Sequence, residues 1–160
     1  MKINKSYKLA DGWQKRYLIL YGGAGSGKSY SIAQKLVKRS VSEEGQKFLI
    51  VRKVANTLKN SCYDLIKSVI YKEELEYDFT FTTHPLEITH NNTGNKFIFL
   101  GLDDPEKIKS IADITGEWIE EATELEREDF TQLDLRLRGE TNNYKQIIVS
   151  FNPIDEEHWL

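Results

Sequence analysis

Residues 22–29 read GGAGSGKS, a run that fits the spacing G-x-x-x-x-G-K-[ST], with Gly22 first and Gly27, Lys28 and Ser29 closing it. No other stretch constrains the fold as strongly. Four glycines in six positions, Gly22, Gly23, Gly25 and Gly27, open backbone dihedrals denied to other residues, so successive N–H groups can converge on one anion. A helix starting where the loop ends adds the positive end of its dipole. In such a loop the lysine, here Lys28, reaches the β- and γ-phosphates, and the hydroxyl, here Ser29, takes a place on Mg²⁺. The backbone from Gly22 through Ala24, Ser26 and on to Tyr30 is therefore the expected cradle for a triphosphate, with ATP and Mg²⁺ as the expected ligands. The motif also demands a strand before it and a helix after it. RYLILY (16–21) is a short apolar run of strand type, and KSYSIAQKLVKRS repeats apolar residues at Ile32, Ala33, Leu36 and Val37.

Composition narrows the partners. A chain of 160 residues predicts one domain with a respectable core. Its formal charge of −3 encodes no bulk attraction to nucleic acid, so any contact with DNA must be local or transient. The single cysteine, Cys62, excludes an internal disulfide and a cysteine-based metal site, and is expected as a buried thiol on a helix. No apolar stretch is long enough to span a membrane, and MKINKSYKLADGW lacks the apolar centre of a signal peptide. The expectation is a soluble, cytoplasmic protein with no membrane partner.

Further along, KFLIVRK (47–53) reads as a second strand, and ANTLKNSCYDLIKSVIYKEEL places Leu58, Cys62, Leu65, Ile66, Val69 and Ile70 on one helical stripe. The alternation of strand and helix predicts an α/β fold of the P-loop NTPase type, with a mainly parallel sheet flanked by helices. YDFTFTTH, LEITH and KFIFLG are short strand-like runs, the latter two separated by NNTGN, so an inserted antiparallel hairpin is expected. DDPEKIKSIAD predicts a short helix or loop, GEWIEEATEL a strand ending in acids, EREDFTQLDLRLRGE a helix closed at Gly139, and KQIIVSFNP a last buried strand.

A P-loop needs an acid at a neighbouring strand tip to hold Mg²⁺ through water, and in hydrolases a second carboxylate to orient the attacking water. Two pairs qualify by spacing: Asp103–Asp104 behind FIFLG, and Glu120–Glu121 immediately behind EWI. Strand-tip geometry favours the second pair without excluding the first. Asn152, at the end of IIVSFN, has an amide able to sense the γ-phosphate or the lytic water. Near the amino terminus, Trp13 or Tyr17 could stack on a base, with Gln14 bonding its edge.

Taken together, LILYGGAGSGKS, LIVRKVANTLKNSCYD, IFLGLDDPEKIKSI, EWIEEATEL, LDLRLRG and IIVSFNPIDEEHWL resemble the ATPase domain of tailed-phage large terminase subunits, in the right order and over roughly residues 13–160. The resemblance implies a motor that threads phage DNA into a preformed capsid, working as a homo-oligomeric ring on the portal, with a small terminase subunit as a further possible partner. It implies Glu120 as the metal-side acid, Glu121 as the catalytic glutamate and Ser150–Asn152 as the segment coupling nucleotide state to DNA movement. Arg52 matches a basic position usual in the family, near the nucleotide or at a subunit contact. Large terminases also resemble two-part enzymes with a nuclease domain; no such region is expected here, so residues 1–160 are read as an N-terminal ATPase domain that cuts no DNA. A positive group from a neighbouring subunit would complete each site, with Lys107, Lys109, Arg136 and Arg138 as candidates. A helicase-like ATPase is the main alternative.

Overall fold

The computed structural model describes residues 1–103, 105–152 and 159. A seven-stranded sheet runs in the order β1-β7-β6-β2-β5-β4-β3, formed by β1 (Tyr17–Tyr21), β2 (Lys47–Arg52), β3 (Phe79–Thr83), β4 (Leu86–His90), β5 (Lys96–Gly101), β6 (Gly116–Glu120) and β7 (Gln146–Phe151). The pairings β1·β7, β7·β6, β6·β2 and β2·β5 are parallel, while β5·β4 and β4·β3 are antiparallel. The NNTGN turn does join a hairpin, but β5 is at once its second arm and a parallel strand of the main sheet. The antiparallel part therefore extends the sheet rather than standing apart from it.

Helices cover both faces, which is why β2 is buried over four consecutive residues instead of alternating. On one face α2 (Lys28–Ser42) and α3 (Asp64–Lys72) pack against Phe48, Ile50, Phe97, Trp118 and Ile148. All four apolar positions expected on α2 are buried: Ile32, Ala33, Leu36 and Val37. The opposite face carries Leu49, Val51, Ile119, Ile147 and Val149 under α4 (Pro105–Ser110) and α5 (Arg127–Arg136). A short helix, α1 (Lys8–Gly12), precedes β1.

Two local details differ from the periodicity. The stripe through Cys62 begins with a π-helical turn over Lys59–Tyr63, closed by Tyr63 N–H donating to Leu58 O at 3.0 Å; Leu58, Cys62, Ile66, Val69 and Ile70 are buried, whereas Leu65 is half-buried. Helix α5 ends at Arg136, so Gly139 is not its cap. A Cβ on Gly139 would lie 2.3 Å from Asp113 O, and its N–H donates to Ile114 O at 2.8 Å, so glycine is needed there for close approach of two chain segments.

Candidate active site

The parallel strands all end at one edge of the sheet, and the loop that follows β1 turns there into α2. Gly25 (φ 73°) and Gly27 (φ 88°) adopt left-handed backbone that side-chain-bearing residues resist, which lets the loop fold back over the helix start. The Lys28 ammonium lies inside the loop. It donates to Gly22 O (2.7 Å), Gly23 O (3.1 Å), Ser26 Oγ (3.3 Å) and Asn152 Oδ1 (3.0 Å). The amide of the β7 tip thus meets the lysine directly.

One residue along α2, the Ser29 hydroxyl donates to Glu120 Oε1 at 2.8 Å. Glu120 ends β6, and its second oxygen accepts from the Trp118 indole N–H (3.1 Å) and from the Ser150 hydroxyl. Burial pushes the Glu120 carboxyl above its ordinary range; the hydrogen bonds from Ser150 and Ser29 and the nearby Arg52 charge pull it back, and Glu121 pushes it up. Glu121 follows in left-handed backbone, φ 53° and ψ 51°. A glutamate held there is under strain, a feature that clusters at functional sites.

Of the two acid pairs, Glu120–Glu121 adjoins the phosphate loop. Asp103 instead accepts from the Ala55 N–H (3.3 Å), closing the turn over residues 55–57, and Asp104 lies outside the described residues. Arg52, at the tip of β2, places Nη2 3.5 Å from Glu124 Oε1, and its Nε is buried with no hydrogen-bond partner among the described residues. The Tyr30 ring packs with the α2–α3 core, 5.1 Å from the Lys72 ammonium, so only its backbone can serve the cradle.

Gln14 is not brought to this edge. The neighbouring Trp13 carbonyl accepts from Lys35 Nζ (2.6 Å) and Gln146 Nε2 (3.0 Å) at the amino-terminal ends of the strands, and β1 alone separates the two edges by about 13 Å. Trp13 donates its indole N–H to Tyr17 O (2.8 Å), and the Tyr17 hydroxyl donates to Asp134 (2.8 Å). What does reach the loop from the amino-terminal segment is Tyr7, whose hydroxyl donates to Ser26 O at 2.9 Å while its ring lies over Gly27. Nothing in the spacing announces that contact across 19 residues. Trp118 carried a readable signal, since period two puts it on the same face as Glu120.

Arg136 and Arg138 follow Asp134, which pairs with Arg16 before β1 at 2.8 Å, so both lie away from their own chain's cradle. Lys107 and Lys109 stand on α4, and Arg136 donates to Lys109 O at 3.0 Å.

A phosphate loop after β1, an acid at the tip of β6, and one strand, β7, between them define a P-loop NTPase of the additional-strand, catalytic-glutamate class. The family can be stated more narrowly. The profile of "Phage terminase large subunit" matches residues 14–160, and the chain belongs to that family. The "PBSX phage terminase large subunit" of Bacillus subtilis (strain 168) is 34% identical over 147 residues, covering 92% of this chain and 33% of the relative. The chain thus spans about a third of that protein's length. Among solved structures, the large terminase of a thermophilic bacteriophage superposes with a TM-score of 0.81 at 18% identity, over 99% of this chain and 41% of that one. The same phage protein in complex with ATP-gamma-S gives 0.65 at 17% identity, over 92% of this chain and 34% of that one. These relationships replace the helicase-like alternative. Among the described residues, no helix is long and apolar enough to cross a membrane.

Proposed function

We propose that residues 1–160 hydrolyse ATP as the motor domain of a large terminase subunit, driving double-stranded phage DNA into a procapsid. The observation that carries this reading is the junction of Lys28 with Asn152 and of Ser29 with Glu120, which gathers the parts of a nucleotide-hydrolysing site from two strand tips and one helix. The ATP-gamma-S complex of the thermophilic phage's large terminase supports the choice of nucleotide.

The donor set suits Mg²⁺, a hard ion that takes one or two protein oxygens and fills its shell with water and phosphate. Ser29 and Glu120 would hold it, and when bound it would supply positive charge to offset that of the phosphate oxygens. Lys28 leaves the carbonyls of its own loop for the same oxygens, and the N–H groups of Gly22, Gly23, Ala24, Gly25, Ser26, Gly27 and Tyr30 supply the rest of the cradle. Glu121 aligns a water with the γ-phosphorus and takes its proton as the water oxygen bonds to phosphorus and the bridging oxygen departs with ADP. Asn152, freed from Lys28, senses the terminal phosphate at the end of β7. Arg52 flanks the acids at the β2 tip. A base contact by Gln14 would require its segment to move, whereas Tyr7 already borders the loop.

Work on DNA requires more copies than one. The domain acts in a homo-oligomeric ring on the portal in the host cytoplasm, with a basic group donated between neighbours and a small terminase subunit as a further partner. Glu121→Gln should keep the affinity for a non-hydrolysable ATP analogue and stall turnover, while Lys28→Ala should lose both. Normal turnover in Glu121→Gln with loss in Asp103→Asn would overturn the assignment of the acids.

A further inference from the structure

Glu120 is held from behind by two groups that take no part in the chemistry just described. Trp118 and Glu120 lie two residues apart on β6 and share the α2 face, while Ser150 is the cross-strand partner of Glu120 on β7. The indole N–H of Trp118 stands 2.9 Å from Ser150 Oγ and 3.1 Å from Glu120 Oε2. Trp118 is only 1% exposed, so the orientation of its ring is fixed by the core.

Hydrogen-bond direction follows from the inventory of donors. An indole N–H can only donate, and this one is shared between Ser150 Oγ and Glu120 Oε2, so Ser150 Oγ accepts from it. The serine hydrogen is then left for Glu120 Oε2, in preference to Ile119 O at 3.4 Å. The chain therefore runs Trp118 to Ser150 to Glu120, each bond polarising the next. It occupies Oε2 with protein donors and leaves Oε1 facing Ser29 alone.

Resting on the reading of Glu120 as the metal-side acid, we infer that Trp118 and Ser150 are positioning residues that lock the Glu120 carboxylate so that one oxygen is presented beside Ser29 to a divalent cation. A rigid carboxylate offers a ready site; an unlocked one must first be ordered, at a cost in metal affinity. The same bonds tie the acid to β7, the strand that ends in Asn152.

The test is the gain in affinity for a fluorescent non-hydrolysable ATP analogue when Mg²⁺ replaces EDTA. Trp118→Phe and Ser150→Ala should each cut that gain about tenfold, the scale of one lost bond to a charged group, and leave the EDTA affinity within about twofold. Ser150→Thr, which keeps the hydroxyl, should restore it. Ser150→Ala removes one atom only, so the inference stays testable if Trp118→Phe does not fold. An unchanged gain in both variants, or equal loss with and without metal, would overturn it. Glu120→Gln separates the failures: if it keeps the full metal effect, the metal-side reading falls and the inference with it. If it loses the effect while Trp118→Phe and Ser150→Ala keep it, the inference alone falls.

Discussion

Glu117 and Glu120 stand three residues apart on β6, both largely buried, yet they live in opposite circumstances. Glu120 points to the α2 face and receives hydrogen bonds from Ser29, Ser150 and Trp118. Glu117 points to the α5 face between Leu49 and Ile147, and neither of its carboxyl oxygens has a hydrogen-bond partner among the described residues. Burial, helped by the charge of Asp134 and opposed by Arg16, raises the Glu117 carboxyl well above its ordinary value of 4.5. The odd spacing puts the two side chains on different faces, and position along the strand puts one at the functional edge and the other toward the opposite end. A buried carboxyl becomes an instrument where donors surround it and a liability where they do not.

The widest gap should appear in turnover. Glu120→Gln should lower ATP hydrolysis by roughly 10³-fold or more, and Glu117→Gln by less than about twofold, in a steady-state assay at saturating Mg²⁺ and nucleotide; comparable losses would erase the distinction. Stability should reverse the ranking. Glu117→Met fills the same space without an unsatisfied polar group and should stabilise the domain by about 1–3 kcal/mol at pH 8, read by urea denaturation. The pH dependence sharpens the point. Because the folded-state value of Glu117 is raised, its protonated form supports the fold at low pH, and that support is lost as pH rises from 4.5 through the folded-state value. Melting curves should show Glu117→Gln gaining on the native protein as pH rises across that window; parallel curves would mean that Glu117 stays charged when folded. The smallest effect belongs to the loop itself. Tyr7→Phe removes one neutral hydrogen bond to Ser26 O, and should raise KM for ATP about threefold to tenfold with little change in kcat.

Much of this was readable from the amino acids. Gly22–Ser29, the apolar repeat behind it and the acids after Ile119 were visible because each is a local pattern, set by turn chemistry or by the period of a helix or strand. Spacing favoured Glu120–Glu121 over Asp103–Asp104 without excluding the latter, and the family resemblance implied the roles of the two glutamates. Both pairs follow apolar strands, and only the strand order brings β6, one strand removed from β1, up to Ser29 while Asp103 closes the turn at Ala55. Gly139 taught the same lesson, since a glycine after a helix suggests a cap, and only the fold shows Asp113 pressed against it.

The order of residues was enough to specify a phosphate loop, its flanking strand and helix, a parallel sheet with covering helices, and a short list of acids. It took the assembled fold to select the acid that the loop meets, to bring Tyr7 and not Gln14 to the border of the cradle, to stand Trp118 and Ser150 behind Glu120, and to strand Glu117. The reason is physical: local patterns follow from the dihedrals and side-chain periods of neighbouring residues, whereas contacts across tens of residues depend on strand order and facing, which the whole core fixes at once.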